Sequence, residues 1–507
     1  MGRFALGLVL ALTVAAPPAF SQIALLFPHG IAAGDVTATS AVLWTRFDRR
    51  LPLTVEVSTD RGFAASAFTA AAGALDRGGS VKLAATGLKP GTRYFYRFTV
   101  GRGAYSDVGT FLTAPPPETG ADVRLAFSGD VDGTHVGGAP VFPLGVLDAA
   151  AANKPDVFIL VGDTIYSDSP HGNRPARALD EYRAKYREVQ ATSSMQALLR
   201  ATSVIAIWDD HEVENDFDSE SVDRSKLQAG RQAFLEAWPI AEQEQNRLYR
   251  SFRWGRNVEI FVLDLRAYRS RQASKMRVCD NPPGSVVPDL APTLPGQIRA
   301  GFAPLIRQMA LPVPPACLAA LNDPSRTLLG DAQKRWLQQG LRSSTAIWKF
   351  IVSEVPVQEF FANPYDRWEG YAAERAEILN FIRTSSIRNV VWLSTDLHAV
   401  LINDVRLATY NPPFEPSGMK EVVVGPIATN TFASAIAAVA GPSVVPAFAA
   451  FLQAPLPQGL GLSCVVLDRF TYATVEVSSV AGTATITPQD AAGRPVCRNP
   501  LVLRAVR

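Results

Sequence analysis

Apolar and polar positions fall into two regimes separated by a run of prolines. Before it, Ala41-Val42-Leu43-Trp44-Thr45, Leu53-Thr54-Val55-Glu56-Val57 and Tyr94-Phe95-Tyr96-Arg97-Phe98 carry β-branched or aromatic residues between Gly, Pro and Asp. That is the pattern of strands in a small β-sandwich. The run itself, Ala114-Pro115-Pro116-Pro117-Glu118-Thr119-Gly120, is stiff and polar and predicts a linker. After it, short apolar runs that read as buried strands recur at 123–127, 157–161, 204–208, 258–263, 350–352, 390–393 and 421–424. Helical faces lie between several of them: Leu179, Tyr182, Tyr186 and Val189 share one, Trp336, Leu337 and Leu341 another, Ile378, Phe381 and Ile382 a third. Alternating strands and helices predict a layered α/β domain whose ligand site lies beyond the carboxyl ends of the strands. The expected order is a leader over 1–21, a β-sandwich over 22–114, a linker over 115–121 and an α/β domain over 122–507.

The leader follows from its own pattern. Arg3 precedes an apolar run from Phe4 to Ala16, and Ala19-Phe20-Ser21 puts small residues where a signal peptidase reads them, so cleavage is expected before Gln22. The run is shorter than the roughly 20 residues that span a bilayer, and no twin-arginine pair precedes it. A secreted or periplasmic protein, exported by the general secretory route and without a span in its mature form, is predicted. Four cysteines and no Cys-x-x-Cys fit an oxidising compartment, with Cys279–Cys317 and Cys464–Cys497 the simplest pairing. Thr431 to Leu452 is long and apolar, but Gly441-Pro442 and Pro446 interrupt it, which predicts a helical hairpin, buried or serving as a lid. Within the sandwich, Gly87-Leu88-Lys89-Pro90-Gly91-Thr92-Arg93-Tyr94 resembles the turn into a late strand of fibronectin type III modules, where a tyrosine ties a corner.

Charge narrows the chemistry. With 49 Lys+Arg against 47 Asp+Glu, a net charge of +2 over 507 residues, there is no nucleic-acid-binding footprint. There are only five histidines, so any metal centre has to lean on oxygen ligands. Those oxygens sit at strand ends. Four apolar runs end in Ser128-Gly129-Asp130-Val131-Asp132, Gly162-Asp163-Thr164-Ile165-Tyr166, Asp209-Asp210-His211-Glu212 and Ser394-Thr395-Asp396-Leu397-His398. Brought together, these carboxylates would repel one another and take up protons unless cations keep them ionised. Oxygen donors suit calcium, magnesium, manganese or iron(III). Rival motifs are absent: Asn215 stands where a zincin would have its second histidine, and neither Gly-x-Ser-x-Gly nor a phosphate-binding loop occurs.

Asp163, after Gly162, is the natural bridge between two metals; cations about 3.5–4 Å apart hold an attacking hydroxide and a phosphoryl oxygen for in-line displacement. His211, flanked by Asp210 and Glu212, is placed to protonate the leaving group. Tyr166 either binds a metal as phenolate or packs.

The order Gly-Asp-x-x-Tyr, Asp-Asp-His-Glu-Val-Glu-Asn and Asp-x-His resembles the alkaline phosphatase D (PhoD-like) family of metallophosphatases. The likeness extends to Gly30-Ile31-Ala32-Ala33-Gly34-Asp35, to Leu263-Asp264-Leu265-Arg266-Ala267-Tyr268-Arg269, to Leu329-Gly330-Asp331-Ala332-Gln333 and to Trp368-Glu369-Gly370-Tyr371. It implies hydrolysis of phosphomonoesters and phosphodiesters outside the cytoplasm at an iron(III) and calcium centre. On that pattern Asp163 bridges, Tyr166 and His398 bind iron, and Asp210 and Asp396 bind the second metal with Asp209 and Asn215 near it. Glu354, before Val355-Pro356, takes the place of a histidine of the wider metallophosphatase pattern and is a further candidate ligand. Asp130 stands where the family commonly has cysteine; a hard carboxylate for a soft thiolate changes metal selectivity and admits zinc, manganese or magnesium. The competing readings are a phospholipase or teichoic-acid-type phosphodiesterase of the same fold and a non-catalytic calcium-binding adhesion protein. The first is separated by rates on matched mono- and diesters, and the intact Asp163, Asp210, His211, Asp396 and His398 argue against the second.

Overall fold

Val157–Val161, Ser203–Ile207, Trp348–Ser353 and Val390–Ser394 are buried at every residue, as continuous apolar runs must be when both faces of a sheet are covered. The computed structural model describes residues 26–506, apart from 48–51, 73–77, 102, 173, 245–246, 305, 361, 411–413 and 455–459. The predicted leader and its cleavage site lie outside the described residues.

The α/β part is built on two sheets. In one, Val123–Ser128, Val157–Val161 and Ser203–Ile207 run parallel at the centre of nine strands. In the other, Val258–Val262, Trp348–Ser353, Val390–Ser394 and Pro416–Val423 run parallel within seven. Leu125, Phe127 and Ile159 of the first share a core with Phe350, Val391 and Leu393 of the second, so the sheets pack face to face. Helices close the outer faces: Leu179–Gln190 and Arg224–Ala237 on the first sheet, Gly330–Ser343 and Ala372–Thr384 on the second.

The N-terminal strands form the expected sandwich. Leu53–Ser58, Phe68–Ala71, Arg93–Val100 and Gly109–Leu112 face Ile31–Gly34, Ser40–Arg46 and Ser80–Thr86 across a core that includes Leu43, Val55, Tyr96 and Phe98. Tyr94 ties the corner by accepting the Lys89 backbone N–H at 2.9 Å, and its ring stacks on Phe111. One face of the sandwich does not end at its own edge. Ile31–Gly34 pairs in parallel with Ser203–Ile207, so three N-terminal strands continue the nine-stranded sheet. Gly34 is required at that junction, since a Cβ there would lie 2.7 Å from the Val204 carbonyl oxygen. Asp35 follows it, buried, and accepts from Arg250 Nη2 at 2.9 Å and from the Ala241 backbone N–H at 2.9 Å.

Cys279–Cys317 and Cys464–Cys497 are bonded as the sequence predicts. The apolar 431–452 stretch forms helices Phe432–Ala440 and Val444–Gln453, turning at Gly441, with Pro446 in the first turn of the second helix, where its missing N–H costs nothing. It is not buried: Phe432, Ile436, Phe448 and Phe451 are partly covered against a core that includes Leu294, Met309 and Leu460, Phe451 meets the Phe302 ring edge-on at 5.2 Å, and Leu452 alone among the described side chains of these helices is buried. The alanines between them are small enough to face outward at little hydrophobic cost. Among the described residues no helix is long and apolar enough to cross a membrane.

Removing one member of the buried Asp35–Arg250 pair strands a charge. Asp35→Ala is expected to lower unfolding free energy by about 3–5 kcal/mol, read as a fall in the denaturant midpoint; an unchanged midpoint would show that the pair does not tie sandwich to sheet.

Candidate metal centre

Parallel strands end on one side of a sheet, and four of them deliver acidic loops to a common point. Val123–Ser128 leads to Asp130, Val157–Val161 to Asp163, Ser203–Ile207 to Asp209-Asp210-His211, and Val390–Ser394 to Asp396 and His398. Asp130, Asp163, Asp396 and His398 have φ of 65°, 47°, 71° and 51°. Such left-handed conformations cost on the order of 1–3 kcal/mol each and persist where surrounding contacts impose them, as they do at functional sites. The contacts run between loops. The Asp396 backbone N–H donates to Asp130 Oδ1 at 3.3 Å, the His211 N–H to Asp163 Oδ1 at 3.2 Å, and the Val131 N–H to the Asp163 carbonyl at 2.7 Å. Gly162 turns at φ 78°, and a Cβ on it would lie 2.5 Å from Asp209 Cβ.

Ligand atoms converge in three groups, each within 4.8 Å: Asp130, Asp163 and His398; Asp163, Asp210 and His211; and Asp210, Asp216 and Asp366. Asp163 belongs to the first two and Asp210 to the last two. Tyr166 joins the first, its hydroxyl 2.9 Å from His398 Nε2, while its ring stacks on His211 with centroids 4.0 Å apart.

Electrostatics follow from burial and crowding. Burial, then the neighbouring aspartates, push Asp130 and Asp163 well above the usual carboxylate range; burial and Asp209 do the same to Asp396. Burial and Asp163 raise the Tyr166 hydroxyl. Asp210 is the exception. Burial opposes its charge, but Arg266 and His211 hold it below the normal range. Burial also opposes a charged His211, yet Asp210 and Asp168 outweigh it and raise the imidazole to about 10. His398 is pushed down to about 4 by burial and by the charge of His211, and so is a neutral donor.

Some predicted residues stand apart from these groups. Asp209 is buried and bonded to Arg266 Nε; burial lifts it to about 6 against that cation. Asp396 senses Asp209, Asp366 and Asp210 but is in none of the three groups. Glu354 is fully buried, accepts the Leu265 N–H at 3.0 Å on Oε1 and leaves Oε2 without a hydrogen bond. Asn215 is exposed, and its backbone N–H donates to Asp168 Oδ2 at 2.7 Å. Three residues escaped the sequence reading, Asp168, Asp216 and Asp366, and Arg266 enters it only as part of a family-like run, without a role in the site. Arg266 is fully buried, forks onto Asp366 at 2.7 and 2.6 Å, bonds Asp209 and lies 3.6 Å from Asp210. Asp216 directly follows Asn215 and Asp168 lies two residues after Tyr166, so a wider reading around each motif would have included them.

Residues 142–459 match the model of the PhoD-like phosphatase family, and residues 13–115 that of the PhoD-like phosphatase N-terminal domain. The chain belongs to the PhoD-like phosphatase family. It is 29% identical over 458 residues to alkaline phosphatase D of Bacillus subtilis (strain 168), covering 78% of this chain and 69% of that one. Its fold resembles a solved structure of PhoD, with a TM-score of 0.72 at 21% identity over 94% of this chain and 89% of the other. It also resembles purple acid phosphatase PPD1 from yellow lupin (Lupinus luteus) seeds, with a TM-score of 0.55 at 10% identity over 94% and 73%. As a PhoD-like phosphatase the protein is a metallophosphoesterase, and its substrates are phosphate esters.

The donor set fits cations. Asp130 Oδ2 and Asp210 Oδ1 are buried without a hydrogen bond, and a Cβ on Gly425 would lie 2.3 Å from Asp130 Oδ2, so the backbone there leaves space only for that oxygen. Gly162 is a sensitive point of this frame, since it combines a positive φ with that close approach to Asp209. Gly162→Ala is expected to displace Asp163 against Asp209 and lower kcat/KM by about 10²-fold, the scale of a 1 Å misplacement; near-native kinetics would show that the loop has slack.

Proposed function

We propose that this PhoD-like phosphatase is an exported enzyme of two or more metals, hydrolysing phosphate esters by in-line attack, with Asp163 bridging the cations. Asp163's membership of two ligand groups carries the reading. Asp130, Tyr166 and His398 would hold one cation and Asp210 the other, with Asp396, Asp209, Glu354 and Asn215 as weaker contributors. Bound cations supply Lewis-acid stabilisation of phosphoryl oxygens and a nucleophile at neutral pH. His211 holds a proton for the leaving oxygen, and Tyr166 fixes its ring plane. The resemblance in the sequence motifs implies iron with calcium; the carboxylate of Asp130 favours harder or borderline ions such as manganese, magnesium or zinc. Two disulfides support export to an oxidising compartment. The sandwich over 22–114 and the catalytic domain over 122–507 would act as one unit through their common sheet.

Asp163→Asn is expected to lower metal content and to cut kcat/KM by at least about 10³-fold together, a loss of several kcal/mol of charge stabilisation. Full activity in that variant would overturn the bridging role. For the native protein, elemental analysis with a visible spectrum decides the metal: a phenolate-to-iron band supports Tyr166 on iron, whereas a colourless active protein holding only zinc, manganese, magnesium or calcium rejects it. Rates on an aryl monoester and the matching diester set the preferred ester class.

A further inference from the structure

We propose that a cleft at the opposite end of the strands from the metal centre binds an oligophosphate, a short chain of linked phosphate groups. It lies where the parallel strands begin. Arg256 and Asn257 lead into Val258–Val262, Lys349 is the second residue of Trp348–Ser353, and Arg388 and Asn389 lead into Val390–Ser394. The acidic loops leave the other ends of such strands, so a strand length, roughly 15–20 Å, separates the two places. The cleft has a volume of about 590 Å³, room for more than a single phosphate.

Charge selects the ligand. Among the described residues that line the cleft, Arg256, Arg342, Lys349 and Arg388 are cations and none is a carboxylate, in a chain whose charges nearly cancel. Lys349 is the decisive one. It is 8% exposed, its ammonium donates to the Ala346 carbonyl at 2.7 Å, and it forms no ion pair among the described residues. Its register partner on the neighbouring strand, Glu259, is taken by Arg253 at 3.3 Å and by Ser344 Oγ at 2.6 Å. Lysine is rarely buried without a countercharge. Burial, opposed by Glu259 and aided by Arg253, holds this ammonium below the usual lysine range, and an anion seated beside it supplies the missing charge. Arg256 and Arg342 are exposed and also form no ion pair among the described residues. The hydroxyls of Ser385, Ser386 and Ser479 in the lining make no hydrogen bond among the described residues and are free to donate to phosphate oxygens.

Cations also gather at helix C-termini, where the dipole favours them. Gly330–Ser343 and Ala372–Thr384 both end here, which accounts for Arg342 in the last turn of the first but not for Arg256 on a strand turn or Lys349 within a strand. Nor do the helix ends lack partners. The Ser344 N–H donates to the Gly340 carbonyl, Ser385 to Phe381, Ser386 to Arg383 and Ile387 to Ile382. The walls are tied together without a ligand. Asn389 Nδ2 donates to the Ile347 and Val506 carbonyls, both at 3.1 Å, and its Oδ1 accepts the Val506 N–H at 2.8 Å. The Ile347 N–H donates to the Arg256 carbonyl at 3.1 Å, and the Ala505 N–H to the Gly482 carbonyl at 2.9 Å. A linear anion with spaced charges meets several of these cations at once, whereas one phosphate meets fewer. No bond is made or broken: the cleft anchors the enzyme to phosphate-bearing material and leaves the strand-end aspartates open.

The test uses the full, metal-loaded chain and inorganic tripolyphosphate. Calorimetry reports all binding, while inhibition of p-nitrophenyl phosphate hydrolysis reports occupancy of the metal centre alone. The double variant Arg256→Ser/Arg342→Ser removes two exposed cations, and Lys349→Met removes the buried one at similar length. Each is expected to leave kcat/KM and the inhibition constant within about twofold of native and to weaken the non-inhibitory binding at least about tenfold. Rising salt should weaken that binding more in the native protein than in the double variant. Orthophosphate should bind the cleft at least about tenfold more weakly than tripolyphosphate. Binding that never exceeds what inhibits, an inhibition constant that shifts with the variants, unchanged affinity in the double variant, or equal affinity for orthophosphate overturns the proposal. Should Lys349→Met fail to fold, the double variant decides.

Discussion

The structure turns on the mutual repulsion of aspartates that the fold forces together. Asp130, Asp163, Asp209, Asp210, Asp216, Asp366 and Asp396 meet at the strand ends, and burial and one another's charges resist ionisation at most of them. Two kinds of cation relieve this. One is built in: the Arg266 guanidinium reaches Asp209, Asp210 and Asp366, while Arg269 Nη1 adds a second bond to Asp366 at 2.6 Å. The other is a bound metal, toward which Asp130, Asp163 and Asp210 converge with His398 and His211. A planar fork is committed to the carboxylates it bonds, so Arg266 takes Asp209 and Asp366, and Asp130 and Asp163 are left to ions.

This division explains why the predicted ligands differ in fate. Asp209 and Asp210 are adjacent in sequence, but only Asp210 lies in two ligand groups, because Asp209 is turned onto Arg266. His211 and His398 are separated in the same way. Both are imidazoles near the same aspartates, yet one is held protonated by Asp210 and Asp168 and the other is kept neutral by burial and by the charge of the first. Neighbouring groups with opposed proton affinities are what a site needs if one histidine is to give a proton and the other an electron pair.

Much of this was legible because its signals are local. A buried parallel strand is a run of apolar residues, and a turn that delivers a ligand leaves Gly-Asp or Asp-x-His behind it, so Asp130, Asp163, Asp210, His211 and His398 could be read directly from the chain. The corner tyrosine Tyr94 and both disulfides followed from equally short patterns or simple pairing. What escaped were long-range partnerships. Arg266 meets Asp366 across 100 residues, and nothing at either position tells which carboxylate an arginine will choose. Asp168 looks like an ordinary loop aspartate until His211 is folded against it. Asn215 misled for the complementary reason: its amide side chain is a plausible ligand type, whereas its contribution comes from a backbone N–H that any residue has. The helical hairpin was half legible, since apolar sequence fixes helices and turn but not how much of an alanine-rich face is covered.

The N-terminal sandwich enters the chemistry through one strand. Ser203–Ile207, whose end carries Asp209, Asp210 and His211, has Val157–Val161 on one side and the N-terminal Ile31–Gly34 on the other. Arg250 spans the same junction: it binds Asp35 of the N-terminal segment and donates from Nη2 to the Ala206 carbonyl at 2.9 Å. A shift of that strand by one residue would point its alternating side chains to the opposite faces and move Asp210 out of both groups it serves. Asp35 and Gly34 therefore act on the site without approaching it. They fix the strand's neighbour on the open side, and through the strand they set where the carboxylates stand against Asp163. The sandwich is thus part of the frame that sets the geometry of the metal centre.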